Sequence, residues 1–91
     1  MDVVAEVRAF VVTIPPGGVA AYGEIGRALG LGPRQVGRAV SLLGDDVPWW
    51  RVVRADGTPA VCRGGGARAL LEAEGVAFRG GHVDMAKIRN V

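Results

Sequence analysis

Ninety-one residues make one small domain, and an apolar fraction of 49% supplies enough core to exclude an intrinsically disordered chain. One cysteine and one histidine exclude an internal disulfide and a structural zinc site. A net charge of +2 does not by itself establish a nucleic-acid partner. Ten of the eleven basic residues are arginine, however, whose guanidinium suits phosphates, base edges and stacking.

The fifteen glycines and five prolines punctuate turns without a collagen-like period. The longest apolar stretches are too short to span a membrane. The N-terminus carries an early acid, Asp2, and no basic region leading into an apolar run and cleavage site. The expectation is a cytoplasmic domain over residues 1–91, with no membrane contact, no metal and no cofactor.

Val3, Val4, Val7, Phe10, Val11 and Ile14 recur at helical spacing, which predicts a core helix over 3–13 capped by Asp2 and stopped by Pro15-Pro16. A short helix follows at about 22–29, with Ile25, Ala28 and Leu29 inward. Gly30-Leu31-Gly32 is a turn, and Pro33 suits the first position of a helix over roughly 33–43. Helix, glycine-containing turn and helix together are a helix-turn-helix pattern. On the second of these helices Val36, Ala39, Val40 and Leu43 share one side, and Arg34, Gly37, Arg38 and Ser41 share the other. Small residues between arginines let the backbone approach a surface closely while guanidinium groups reach phosphates or enter between bases. A solvated face that carries arginine has the same pattern, so residue types alone leave both readings open.

Gly44-Asp45-Asp46 ends that helix. Two acids near a helix C-terminus oppose its dipole and read as loop caps turned away from DNA. Pro48 then turns the chain sharply into Trp49-Trp50-Arg51, and Val52-Val53 read as a short strand. Asp56-Gly57 is a turn dipeptide, and Thr58 to Cys62 are expected to return as a second strand, giving a wing. Arg63-Gly64-Gly65-Gly66 lacks the lysine and spacing of a phosphate-binding loop. A last helix over Ala67 to Glu74 is expected to turn Leu70 and Leu71 inward and stop at Gly75. In the tail, Val83, Met85 and Ile88 read as lying over the core, and Arg79, Lys87 and Arg89 as solvated.

Taken in order, these pieces resemble the DNA-binding domain of the O6-alkylguanine-DNA alkyltransferases. The matching residues are Ile14-Pro15-x-Gly17, Val19-x-x-Tyr22-Gly23-Glu24-Ile25, Arg34-x-Val36-Gly37, Pro48-x-x-Arg51-Val52-Val53, Gly64-Gly65 and Leu70-Leu71-x-x-Glu74-Gly75. The resemblance runs roughly from Val4 to Val76. Those enzymes carry Pro-Cys-His-Arg-Val, whose cysteine accepts the alkyl group. Here Trp49 stands at the cysteine position and Trp50 at the histidine position, so the chain is similar to the alkyltransferase-like proteins, the non-enzymatic relatives.

The resemblance implies a mainly α, winged helix-turn-helix DNA-binding domain with a small β-hairpin. It implies a monomer that binds double-stranded DNA carrying O6-alkylguanine through the minor groove. Arg34 would then hold the gap left by a flipped-out guanine, and Tyr22 would rotate the neighbouring phosphate. Gln35, Gly37, Arg38 and Ser41 would complete the DNA face. The flipped base would enter a pocket lined by Trp49, Trp50, Arg51, Val52 and the loop of Cys62 and Arg63. Arg63 would lie either over the base edge or on a phosphate. Glu74 matches the glutamate that helps activate the thiol in the enzymes, and without that histidine it is expected to act as a structural acceptor. Alkyl transfer is not expected, since an indole has no nucleophile comparable to a thiolate. The implied outcome is a flag for nucleotide excision repair proteins. Two rival readings are a winged-helix transcription regulator that binds undamaged DNA and an alkyltransferase resting on Cys62 alone.

Overall fold

The computed structural model describes residues 2–60 and 65–88. Helix α1 (Val3–Val11) begins where the Asp2 carboxylate accepts the Ala5 amide at 3.2 Å, as the sequence predicts. It ends two residues early. Tight bonds from Thr13 N–H to the Phe10 carbonyl and from Ile14 N–H to the Val11 carbonyl close the last turn before Pro15. Strand β1 (Ala20–Ala21) runs directly into α2 (Tyr22–Leu29), and the Glu24 carboxylate caps the Ala21 amide at 3.1 Å.

Helix α3 (Pro33–Ser41) starts on proline, and Gln35 Oε1 accepts the Gly32 amide at 2.9 Å. Its inner side is the predicted one: Val36, Ala39 and Val40 are buried, with Leu43 just beyond. In α2 the inner side differs from expectation. Ala28 is exposed, and Gly26 is buried in its place. The Leu31 carbonyl lies only 2.5 Å from where a Gly26 Cβ would stand, so only glycine lets the turn fold back this closely.

After α3 the two acids, expected as loop caps, instead bind side chains. Asp46 pairs with Arg8, and Asp45 accepts the Trp49 indole N–H at 3.2 Å. A 3₁₀ turn (Trp49–Arg51) leads into β2 (Val52–Val53), which pairs in parallel with β1 in the register Ala20 to Val52. The expected hairpin from Val52 to Cys62 reduces, among the described residues, to a tight turn and a single antiparallel bridge between Val53 and Pro59. Pro59 brings no N–H to extend a ladder beyond that bridge. Residues 61–64 lie outside the described part.

Helix α4 (Ala67–Ala73) buries Leu71 but leaves Leu70 38% exposed, which corrects the inward assignment of both. Among the described residues, a paired two-strand hairpin lies in the tail. Strands β3 (Phe78–Arg79) and β4 (His82–Val83) pair antiparallel around Gly80-Gly81, followed by a 3₁₀ turn at Met85–Lys87.

Two apolar clusters result. The larger joins α1, α2 and α3 to Trp49 and Val52. The smaller gathers Val19, Val53, Leu71, Val76 and Val83, with Met85 and Ile88 packed against it as the sequence suggests. Trp50 touches both and welds the helix-turn-helix to the α4–tail layer.

Candidate nucleic-acid interface

The start of α2, the outer side of α3 and the turn after β2 enclose an open groove of about 600 Å³. Tyr22 and Gly23 line it from α2, and Pro33, Arg34 and Gly37 from α3. Arg54 and Ala55 form the facing wall, with Ala60 at the floor. A Cβ on Gly37 would come within 3.9 Å of Tyr22 Cε1. The missing side chain therefore keeps the groove open beside the tyrosine ring. Tyr22 is half-buried against the core, which orients its ring, while Arg34 is exposed at the helix start. Two guanidinium groups, Arg34 and Arg54, thus frame one slot with an apolar floor, suited to a phosphate-bearing strand.

The other α3 residues expected on this face spread over a second side of the helix. Gln35 and Arg38 line a smaller depression of about 250 Å³ with Val3, Val4 and Leu42. The Gln35 carbonyl is occupied as a helix cap, and Ser41 Oγ donates back to the Arg38 carbonyl at 2.6 Å. Arg54 and Ala55 were not singled out by the sequence reading. Their signal was available: a basic residue directly between a strand and the Asp56-Gly57 turn.

Of the residues expected to line a base pocket, the described ones (Trp49, Trp50, Arg51 and Val52) do not border this groove. Trp49 is only 4% exposed, with its N–H on Asp45 and its ring edge-on to Trp50 at 5.8 Å and 87°. Val52 is fully buried in β2. Arg51 is committed elsewhere. Its Nε donates to Glu74 Oε1 at 2.9 Å, its Nη2 to Glu74 Oε2, and its Nη1 to the Ile14 carbonyl at 2.8 Å. Arg51 is thus held in an ion pair and Val52 in the strand, both away from the open groove. The expected contributions of Cys62 and Arg63 lie outside the described residues.

The Arg51–Glu74 pair is nearly enclosed, with side chains 11% and 16% exposed. Arg51, by its hydrogen bonds, holds the Glu74 carboxyl below its ordinary range against the opposing effect of burial; the Trp50 indole and the Gly17 amide add to this. The Trp50 N–H is buried close to that carboxylate without the geometry of a full hydrogen bond. Arg51 also lies over the Trp50 ring, 5.5 Å from its centroid. Glu74 is therefore the acceptor that ties α4 to the Trp49–Arg51 turn, and Arg51 carries the link on to the Ile14 carbonyl beyond α1.

Comparison with known proteins places this arrangement. The profile of the family described as 6-O-methylguanine DNA methyltransferase, DNA binding domain, matches residues 2–76. A comparison with curated proteins returns no match. Among solved structures, S. pombe Atl1 in complex with damaged DNA containing O6-carboxymethylguanine is 31% identical, with a TM-score of 0.84, over 100% of this chain and 97% of that one. A second S. pombe ATL structure in complex with DNA is 34% identical, with a TM-score of 0.73, over 96% and 87%. The Mycobacterium tuberculosis O6-methylguanine methyltransferase is 37% identical, with a TM-score of 0.70, over 81% of this chain and 48% of that one. The present chain thus spans about half of the latter and nearly all of Atl1. On these matches the chain belongs to the 6-O-methylguanine DNA methyltransferase DNA-binding-domain family and, within it, to the alkyltransferase-like proteins.

Proposed function

We propose that this protein binds double-stranded DNA containing O6-alkylguanine through the minor groove, flips the damaged base out of the stack and leaves the alkyl group in place. One observation carries the reading. Tyr22, Arg34 and Gly37 converge on a single groove in a chain that aligns along its whole length with Atl1 bound to O6-carboxymethylguanine DNA. Helix α3 enters the minor groove, and Gly37 keeps the contact close. Arg34 fills the space that the flipped nucleotide leaves, which offsets part of the few kcal/mol that unstacking costs. Tyr22 engages the adjacent phosphate. Trp49 and Trp50, which do not line the open groove, supply the apolar surface toward the alkyl group. Arg63 reads the base edge or a phosphate.

The protein acts as a cytoplasmic monomer and transfers nothing. The position of the acceptor thiol holds Trp49, and the glutamate that would serve a thiol–histidine pair is spent on Arg51. The bent, occupied duplex then marks the lesion for nucleotide excision repair proteins. Two readings on one complex test this. A fluorescent base analogue paired opposite O6-methylguanine should brighten on binding, because its partner leaves the stack. The intact protein mass should stay unchanged after prolonged incubation. An unchanged fluorescence would contradict flipping, and a methyl gain on Cys62 would contradict the non-enzymatic reading.

A further inference from the structure

The groove wall opposite α3 consists of Arg54 and Ala55, which lead into the Asp56-Gly57 turn. Arg54 N–H reaches the Thr58 carbonyl and Gly57 N–H the Arg54 carbonyl, both at 2.9 Å. What holds this turn from outside is the tail hairpin. Val83 N–H donates to the Gly57 carbonyl at 2.9 Å. Gly57, at φ +88°, has no side chain, and the Val83 carbonyl stands 2.5 Å from where its Cβ would be. The only histidine of the chain completes the contact, with His82 Nδ1 at 3.0 Å from Thr58 Oγ1.

The direction of that bond follows from proton count. The Thr58 hydroxyl has one proton, which goes to Asp56 Oδ1 at 2.6 Å, so its oxygen accepts from His82 Nδ1–H. The hairpin is itself fastened to α4. The Arg68 guanidinium lies over Phe78, 4.6 Å from the ring centroid, and donates to the Gly80 carbonyl at 3.3 Å. A continuous path therefore runs from α4 through the hairpin to the wall of the groove. The hairpin lies beyond residue 76, where the match to the family profile ends.

We infer that the tail hairpin sets the position of Arg54 against DNA, and that His82 is the positioning residue that transmits it. This inference rests on the proposed DNA-binding function. Its test is a double-mutant cycle in equilibrium binding to a duplex with one O6-methylguanine, at fixed moderate salt. Arg54→Ala should weaken binding roughly tenfold and His82→Ala roughly threefold to fivefold, while melting stays within a few degrees because the His82 side chain is 51% exposed. His82→Asn, whose amide N–H still reaches Thr58, should bind within about twofold of the unaltered protein. In the Arg54→Ala background, His82→Ala should cost nothing further. Unchanged affinity of His82→Ala, or an equal loss with Arg54 already removed, would overturn the inference while leaving the proposed function standing. Failure of the unaltered protein to bind the duplex would overturn both.

Discussion

Arg34→Ala weakens binding to a duplex carrying one O6-methylguanine by roughly thirtyfold to a hundredfold, about 2–3 kcal/mol, and leaves thermal unfolding unchanged. The unchanged fold follows from its position. Arg34 is exposed at the start of α3, where Pro33 and the Gln35–Gly32 cap already stabilise the helix end. The loss in binding follows from the role proposed for it. A side chain that occupies the place of an extruded base offsets unstacking, and alanine leaves that place empty. Arg34→Lys restores the charge but not the planar group that stacks between bases, so it stays at least roughly tenfold weaker than arginine. Fluorescence anisotropy titrations of the three proteins at one salt concentration check this. A lysine variant that binds like arginine would reduce Arg34 to a phosphate contact.

The second large effect falls on stability. Glu74→Ala leaves the Arg51 guanidinium nearly enclosed without its acceptor, and a loss of about 2–4 kcal/mol is expected. In a domain of this size that lowers the melting temperature by on the order of 10–20 °C. The paired replacement Arg51→Met with Glu74→Leu recovers part of the loss, because an apolar pair removes the stranded charge. Chemical denaturation of the unaltered protein and these two variants measures the loss and its recovery. The same pair sets the acid response. The folded state holds the Glu74 carboxyl below its ordinary value of 4.5, so unfolded chains bind its proton first as the pH falls. Its contribution is complete above that value and disappears as the pH drops through the lower value of the folded state. Asp46 and Asp56 shift in the same direction but are exposed and add little. Glu74→Gln should therefore flatten the loss of stability below about pH 4.5.

The helices were legible in the sequence because their signals are local. Asp2, Pro15 and Pro33 mark boundaries through caps and fixed dihedrals, and the inner side of α3 follows from four apolar residues at helical spacing. The convergence of Tyr22, Arg34 and Gly37 was anticipated only through resemblance, since nothing local brings α2 and α3 around one groove. Val52-Val53 was legible as a strand, but β1 and the pairing of the two were not. Strands of two residues carry no alternation to read, and the parallel pairing of Ala20 with Val52 joins segments far apart in the chain. The same distance hid Arg51 from its acceptor, since 23 residues separate it from Glu74. Arg51 therefore read as a pocket residue, although its charge is neutralised behind the groove. The Gly80-Gly81 turn was a visible hairpin signal, yet its meaning lies in what it packs on, the Gly57 turn beneath Arg54.

The central claim is recognition of the lesion, and equilibrium binding to two otherwise identical duplexes tests it most directly. One duplex carries a single O6-methylguanine and the other guanine, at the same moderate salt, since nonspecific affinity is itself salt-dependent. The account predicts at least tenfold tighter binding to the lesion, about 1.4 kcal/mol. Equal affinity for the two duplexes would contradict it and leave α3 as a general contact with undamaged DNA.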